Sequence, residues 1–156
     1  PFQFPEKLIP LCIFNAINNK PLPLYGDGKQ VRDWVYVSDH CDAIRKVLKN
    51  GGLGETYNIG GNSERTNIEV VQMICNLLDD IKPMKNKSSY AKLISFVKDR
   101  PGHDQRYAID SSKIQKELGW QPKVKFELGM EKTVRWYLGH DEWVKNIIKS
   151  QNKEVK

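Results

Sequence analysis

A chain of 156 residues is about one domain's worth of sequence, enough for a modest core and too short for two full domains. Hydrophobic and charged fractions of 39% and 28% exclude a globally disordered polypeptide. The longest apolar run, Leu8-Ile9-Pro10-Leu11-Cys12-Ile13-Phe14, falls far below the ~20 residues of a membrane-spanning helix, and the net charge of +6 fits either an anionic partner or a solubilising surface.

In chain order, Phe4-Pro5-Glu6 predicts a helix start, because proline at the first helical position loses no needed N–H and the glutamate faces the positive helix end. Ile9, Ile13, Ala16 and Ile17 recur at helical spacing, and Asn18-Asn19-Lys20-Pro21 ends the run. A short strand over 22–25 and a Gly26-Asp27-Gly28 turn lead to a second strand over 31–37, and the two read as a hairpin. Alternation places Arg32, Trp34 and Tyr36 on one face of that second strand and Val31, Asp33, Val35 and Val37 on the other. Ser38 is the expected N-cap of a helix reaching about Lys49, with Ala43, Ile44, Val47 and Leu48 as its apolar side. Glycines at 51, 52 and 54 break it, and residues 55–59 are expected as a strand.

Thr66-x-x-Glu69 is a capping box, followed at helical spacing by Ile68, Val71, Cys75 and Leu78. A lysine-rich loop over 82–89 precedes a strand over 93–97 and an irregular Pro-Gly segment at 99–103. Asp110 or Ser111 caps a short helix ending at Leu118, with Gly119 as its stop. Met130, Val134 and Tyr137 mark another helix ending near Gly139, and Asp141 opens a last one carrying Val144, Ile147 and Ile148. Lys145, Lys149, Lys153 and Lys156 read as a solvated stripe on it. The class is α/β, α+β-like as it stands, with a ligand-binding region over 1–138 and a basic helical tail over 139–156. No basic-then-apolar leader opens the sequence, and Cys12, Cys41 and Cys75 form no pairing or zinc pattern, so a reducing cytoplasm is expected.

Four segments mix an anion-binding group with a ring or a glycine. Lys7 in a first helical turn can reach a phosphate beside free N–H groups, or it is a surface lysine. Arg32 shares a strand face with two rings and can grip a phosphate while a ring stacks on a base; alternatively it pairs with Asp33. Asn58, before Gly60-Gly61, suits a neutral hydrogen bond to a ligand oxygen, or it is a turn residue. Arg100 and His103 flank a Pro-Gly turn, with Arg106 and Tyr107 following in a strand-like stretch; a His/Asp acid–base pair is the weaker reading. No glycine-rich cofactor loop, P-loop or His-Glu-x-x-His is present.

Phe4-Pro5-Glu6-Lys7-Leu8-Ile9-Pro10, Pro21-Leu22-Pro23-Leu24-Tyr25-Gly26, Arg32-Asp33-Trp34, Tyr57-Asn58-Ile59-Gly60-Gly61 and Asp99-Arg100-Pro101-Gly102-His103 stand here in one order. Together they resemble the C-terminal part of the dTDP-glucose 4,6-dehydratases, of the extended short-chain dehydrogenase/reductase superfamily. The resemblance implies that Lys7 and Leu8 lie along a nucleotide and that Pro23, Leu24 and Tyr25 frame its base and sugar. It further implies that Arg32, Asn58, Arg100 and His103 hold a diphosphate, with Tyr107 a lesser candidate. In that family bound NAD accepts and returns the hydride while water is lost from the sugar. The Rossmann half, a Thr-Asp-Glu motif and a Tyr-x-x-x-Lys pair belong to an N-terminal part that the resemblance places outside this chain. No catalytic residue, NAD site or metal is therefore expected here, and the chain alone is expected to be inactive. The implied partner is a dTDP-sugar, without nucleic acid or membrane, in a homodimeric parent, and the piece alone is expected to self-associate or swap elements. Two alternatives stand beside it: a related nucleotide-sugar epimerase or decarboxylase, and a basic nucleic-acid-binding module, against which the lack of a basic-aromatic motif speaks.

Overall fold

The computed structural model describes the backbone of residues 1–154 and the side chains of 1–147. Three helices carry the main interior: α1 (Leu8–Ile17), α3 (Asn67–Ile81) and α5 (Phe126–Gly139). Cys12, Ile13 and Ala16 of α1 meet Val71, Ile74, Cys75 and Leu78 of α3, and Met130, Val134 and Tyr137 of α5 close the cluster. The capping box forms as expected, with the Glu69 N–H donating to Thr66 Oγ1 and the Thr66 N–H donating to the Glu69 carboxylate.

The first helix begins at Leu8, not Pro5. A start at Pro5 would put Pro10 in the interior, where its missing N–H and its ring break the helix; a start at Leu8 leaves Pro10 in the first turn. Residues 5–7 instead form a turn in which the Lys7 N–H donates to the Phe4 carbonyl at 3.0 Å.

Strands β1 (Leu22–Tyr25) and β4 (Ile94–Val97) run parallel, Leu22 opposite Ile94. The expected hairpin does not form. After Gly26 and Gly28, both at positive φ, the carbonyls of Gly28 and Gln30 accept the N–H groups of Ile68 and Asn67. The segment thus serves the start of α3 and carries the chain away to a second sheet. There β2 (Val31–Asp33) lies between antiparallel β3 (Glu64–Thr66) and parallel β5 (Arg106–Tyr107). Arg106 clamps Glu64 bidentately, both contacts at 2.7 Å, tying the two outer strands together.

β2 is shorter than the expected 31–37 strand because Tyr36 already caps α2 (Val37–Asn50); Ser38 lies inside that helix and is not its cap. The expected strand over 55–59 is also absent. Tyr57 and Ile59 pack onto Ala43, Ile114 and Trp120 in a second cluster, and the Tyr57 hydroxyl links the Gly52 N–H to Glu117, so the segment is fixed by side chains with no ladder partner. That cluster joins α2 to α4 (Ser112–Leu118), which Gly119 ends at φ +60. Asp39 ties the same region together: it is 5% exposed and its carboxylate accepts the N–H groups of Lys123 and Val124, both at 2.8 Å. The last helix, α6 (Asp141–Glu154), packs Val144 onto the main core and pairs Lys145 with Asp141 at 2.6 Å. The side chains of Ile148, Lys149, Lys153 and Lys156 lie outside the described residues. No helix among those described is long and apolar enough to cross a membrane.

Candidate functional site

Strand alternation decides which side chains leave β1 for solvent. Leu22 and Leu24 turn inward, 0% and 1% exposed, so Pro23 and Tyr25 face out. The start of α1 and the 99–103 loop flank the same space. Between these elements opens a cleft of about 600 Å³. Lys7 and Leu8 line it from the cap and first residue of α1; Pro23, Leu24 and Tyr25 from β1; Arg32 and Trp34 from β2 and the residue after it; Arg100 and His103 from the loop.

Arg32 does not pair with Asp33. It donates to its neighbour's carbonyl, Val31 O, at 2.7 Å, while Asp33 accepts the N–H groups of Gly61 and Ser63 at 2.7 Å each. The guanidinium of Arg100 makes no hydrogen bond among the described residues, and Lys7 meets Glu6 at 2.9 Å on the exposed rim. His103 is held more firmly, its side chain 6% exposed, its Nδ1 2.7 Å from Asp99 Oδ1 and its ring edge-on to Tyr25 at 6.2 Å. The His103 hydrogen bond, helped by the Arg100 N–H and Gln30, holds the Asp99 carboxyl below its ordinary range. Three cations, an imidazole and an exposed phenol ring around one opening suit a diphosphate attached to a flat ring. Trp34, one of the lining residues, has a buried indole Nε1 with no hydrogen-bond partner among the described residues.

Two sequence candidates stand apart from the lining. Asn58 is exposed and away from the cleft, because Tyr57 and Ile59 commit the other face of its segment to the second core cluster. Tyr107 pairs in register with Arg32 but is 59% exposed and does not line the opening. A residue that sequence reasoning missed does line it: Asn67, the first residue of α3. The capping box could have found it, since that motif fixes residue 67 at a helix start. Tyr25 and Lys29 happen to fall at Tyr-x-x-x-Lys spacing, but they flank a turn, and Lys29 pairs with Asp27 at 3.5 Å.

Residues 1–133 match the model of a family described as GDP-mannose 4,6 dehydratase. The chain belongs to this family. Among curated relatives, dTDP-glucose 4,6-dehydratase from Xanthomonas campestris is 60% identical over 95% of the chain and 42% of its own length. The chain therefore spans about two fifths of the relatives it matches. The dTDP-glucose 4,6-dehydratase of Bacillus anthracis, solved in complex with NAD, superposes with a TM-score of 0.83 at 52% identity, covering 94% of this chain and 44% of that one. DesIV of Streptomyces venezuelae, a dTDP-glucose 4,6-dehydratase solved with NAD and TYD bound, gives 0.84 at 43% identity over 94% and 43%. The dehydratase family thus accounts for the mixed α/β architecture and for the order of the motifs that line the cleft.

Proposed function

We propose that this chain is the nucleotide-sugar-binding portion of a dTDP-glucose 4,6-dehydratase, which converts dTDP-glucose to its 4-keto-6-deoxy product. The observation that carries the reading is the convergence of Arg32, Arg100 and His103 with Tyr25 on one cleft. In it the three donors hold the diphosphate, Lys7 and Leu8 run along the nucleotide, and Pro23, Leu24 and Tyr25 frame base and deoxyribose. Asn67 takes the role that the sequence suggested for Asn58. The high identity to dTDP-glucose dehydratases over nearly the whole chain favours this reading over an epimerase or decarboxylase. We assign residues 1–138 to the binding region and 139–156 to an appended basic tail.

Our reading leaves the dinucleotide site to the rest of the enzyme. The chain's two Gly-x-Gly strings, 26–28 and 52–54, lead from strand to strand and from helix to coil, and neither opens a helix whose N–H groups would cradle a pyrophosphate. NAD belongs to the rest of the enzyme, and the chain alone is inactive. Helix α2 leaves Val37, Cys41, Ile44 and Leu48 exposed at i, i+4, i+7 and i+11. We read this apolar stripe as covered in the whole enzyme, a cytoplasmic homodimer, and as a driver of self-association in the chain by itself.

Calorimetric titration of the folded chain with dTDP and UDP tests the reading. Saturable dTDP binding, tighter than UDP and weakened at least about tenfold by Arg32→Ala or Arg100→Ala, supports it. A folded chain that ignores dTDP, or binds DNA with steep salt dependence instead, sinks it.

A further inference from the structure

Asp99 is the hydrogen-bond hub that holds His103, a residue lining the cleft. Its Oδ1 lies 2.7 Å from His103 Nδ1 and accepts the Arg100 N–H at 2.8 Å, while its Oδ2 accepts Gln30 Nε2 at 2.9 Å. The backbone makes room for this arrangement. Gly26 sits at φ +59, and a Cβ there would stand 2.9 Å from Asp99 Oδ2 and 3.2 Å from Gln30 Nε2. Gln30 is 2% exposed, and its Oε1 has no partner among the described residues. A buried, half-satisfied amide costs stability, so its place is not explained by stability alone. What the amide does is fix Oδ2 of the carboxylate, leaving Oδ1 to the Arg100 N–H and one ring nitrogen.

We propose that Gln30 and Asp99 are positioning residues that hold His103 with Nδ1–H on the carboxylate and Nε2 turned to the ligand. An ionised carboxylate only accepts, so Nδ1 carries the proton and the ring orientation is set before any ligand arrives. Ligand binding takes up one proton from solvent, so that the bound ring places Nδ1–H on Asp99 and Nε2–H on a phosphate oxygen. The charged and titratable groups that touch the ring or share the cleft with it are Asp99 and Arg100 on its own loop, Tyr25 on β1, Arg32 on β2, Lys7 at the start of α1, and Glu6, which is tied to Lys7. The inference deepens the nucleotide reading given above and rests on it for the identity of the ligand.

Nitrogen-15 NMR of the imidazole and a double-mutant cycle test it on the full chain. The expected result is an Nδ1–H ring in the free chain, gaining Nε2–H on addition of dTDP, with the preference lost in Asp99→Ala. Asp99→Ala should weaken dTDP binding about tenfold in the wild-type background and hardly at all when His103→Ala is already present, because its effect runs through the ring. An Nε2–H ring in the free wild-type chain, or equal losses from Asp99→Ala in both backgrounds, overturns the proposal. If wild type binds no dTDP, the nucleotide reading falls, whereas the ring's tautomer still decides this one.

Discussion

Asn67 and Asn58 show how much one residue's role depends on what its neighbours are doing. Asn58 has the more suggestive sequence context, a strand-like run ending in Gly60-Gly61, yet Tyr57 and Ile59 turn it to solvent. Asn67 looks like an ordinary helix-start residue and stands on the cleft, its backbone N–H fixed to Gln30 O at 3.0 Å. Asn67→Ala is therefore expected to weaken dTDP binding by about 1 kcal/mol, the usual worth of one neutral hydrogen bond, and Asn58→Ala to leave it unchanged, as read by calorimetry. Gly26 makes a second case. Its positive φ and the closeness of Asp99 leave no place for a methyl group, so Gly26→Ala should destabilise the chain by about 1–3 kcal/mol in urea unfolding and weaken dTDP binding as well. The residue types in the cleft were legible in the sequence because cations and rings advertise their chemistry. Which asparagine joined them was not, because that depended on packing between segments far apart in the chain.

At the level of elements, long periodic helices were legible and short strands were not. α3 carries a capping box and a continuous apolar stripe, so its start is fixed locally; Thr66→Ala should cost about 1 kcal/mol by removing the cap. β2 and β3 are three residues each and β5 is two, too short for alternation to declare them. Their pairing rests on distant partners: the Arg106–Glu64 clamp and Asp33 bonding across to the N–H groups of Gly61 and Ser63. Asp39 does similar work between α2 and the 120–124 loop. Removing its carboxylate strands two partly buried N–H donors and loosens the segment behind Trp120, whose indole N–H donates to Asp39 O at 3.2 Å. Asp39→Ala should cost about 2–4 kcal/mol in chemical denaturation, and Asp39→Asn less, since one amide oxygen can still accept.

Across the whole molecule, the three thiols divide by environment. Cys12 and Cys75 are both 0% exposed at the α1–α3 seam, and burial pushes their pKa values up to about 12 and about 11, whereas Cys41 lies exposed on the α2 stripe. In native buffer one thiol should react quickly with a disulfide reagent and two only at the rate of unfolding. A buried thiol keeps its proton in the fold while the unfolded chain releases it near pH 9, so this contribution to stability is complete below pH 9 and is lost as pH rises toward 11 and 12. Cys12→Ala combined with Cys75→Ala should flatten that alkaline decline in denaturation measured from pH 8 to 11. The α2 stripe makes a different prediction: sedimentation should show concentration-dependent association of the chain, reduced by Ile44→Lys with Leu48→Lys, while a monomer at all concentrations would remove the stripe as a contact surface. By itself the sequence determined the helices, the turn glycines and the stock of cations and rings, because periodicity, caps and side-chain chemistry act within a few residues. Tertiary structure alone decided which strands pair, that residues 55–59 form no strand, and that Asn67 rather than Asn58 lines the cleft that Arg32, Arg100 and His103 line. Those outcomes depend on contacts between segments far apart in the chain, 28 residues for Asp33 with Gly61 and 84 for Asp39 with Lys123, where local preference has no say.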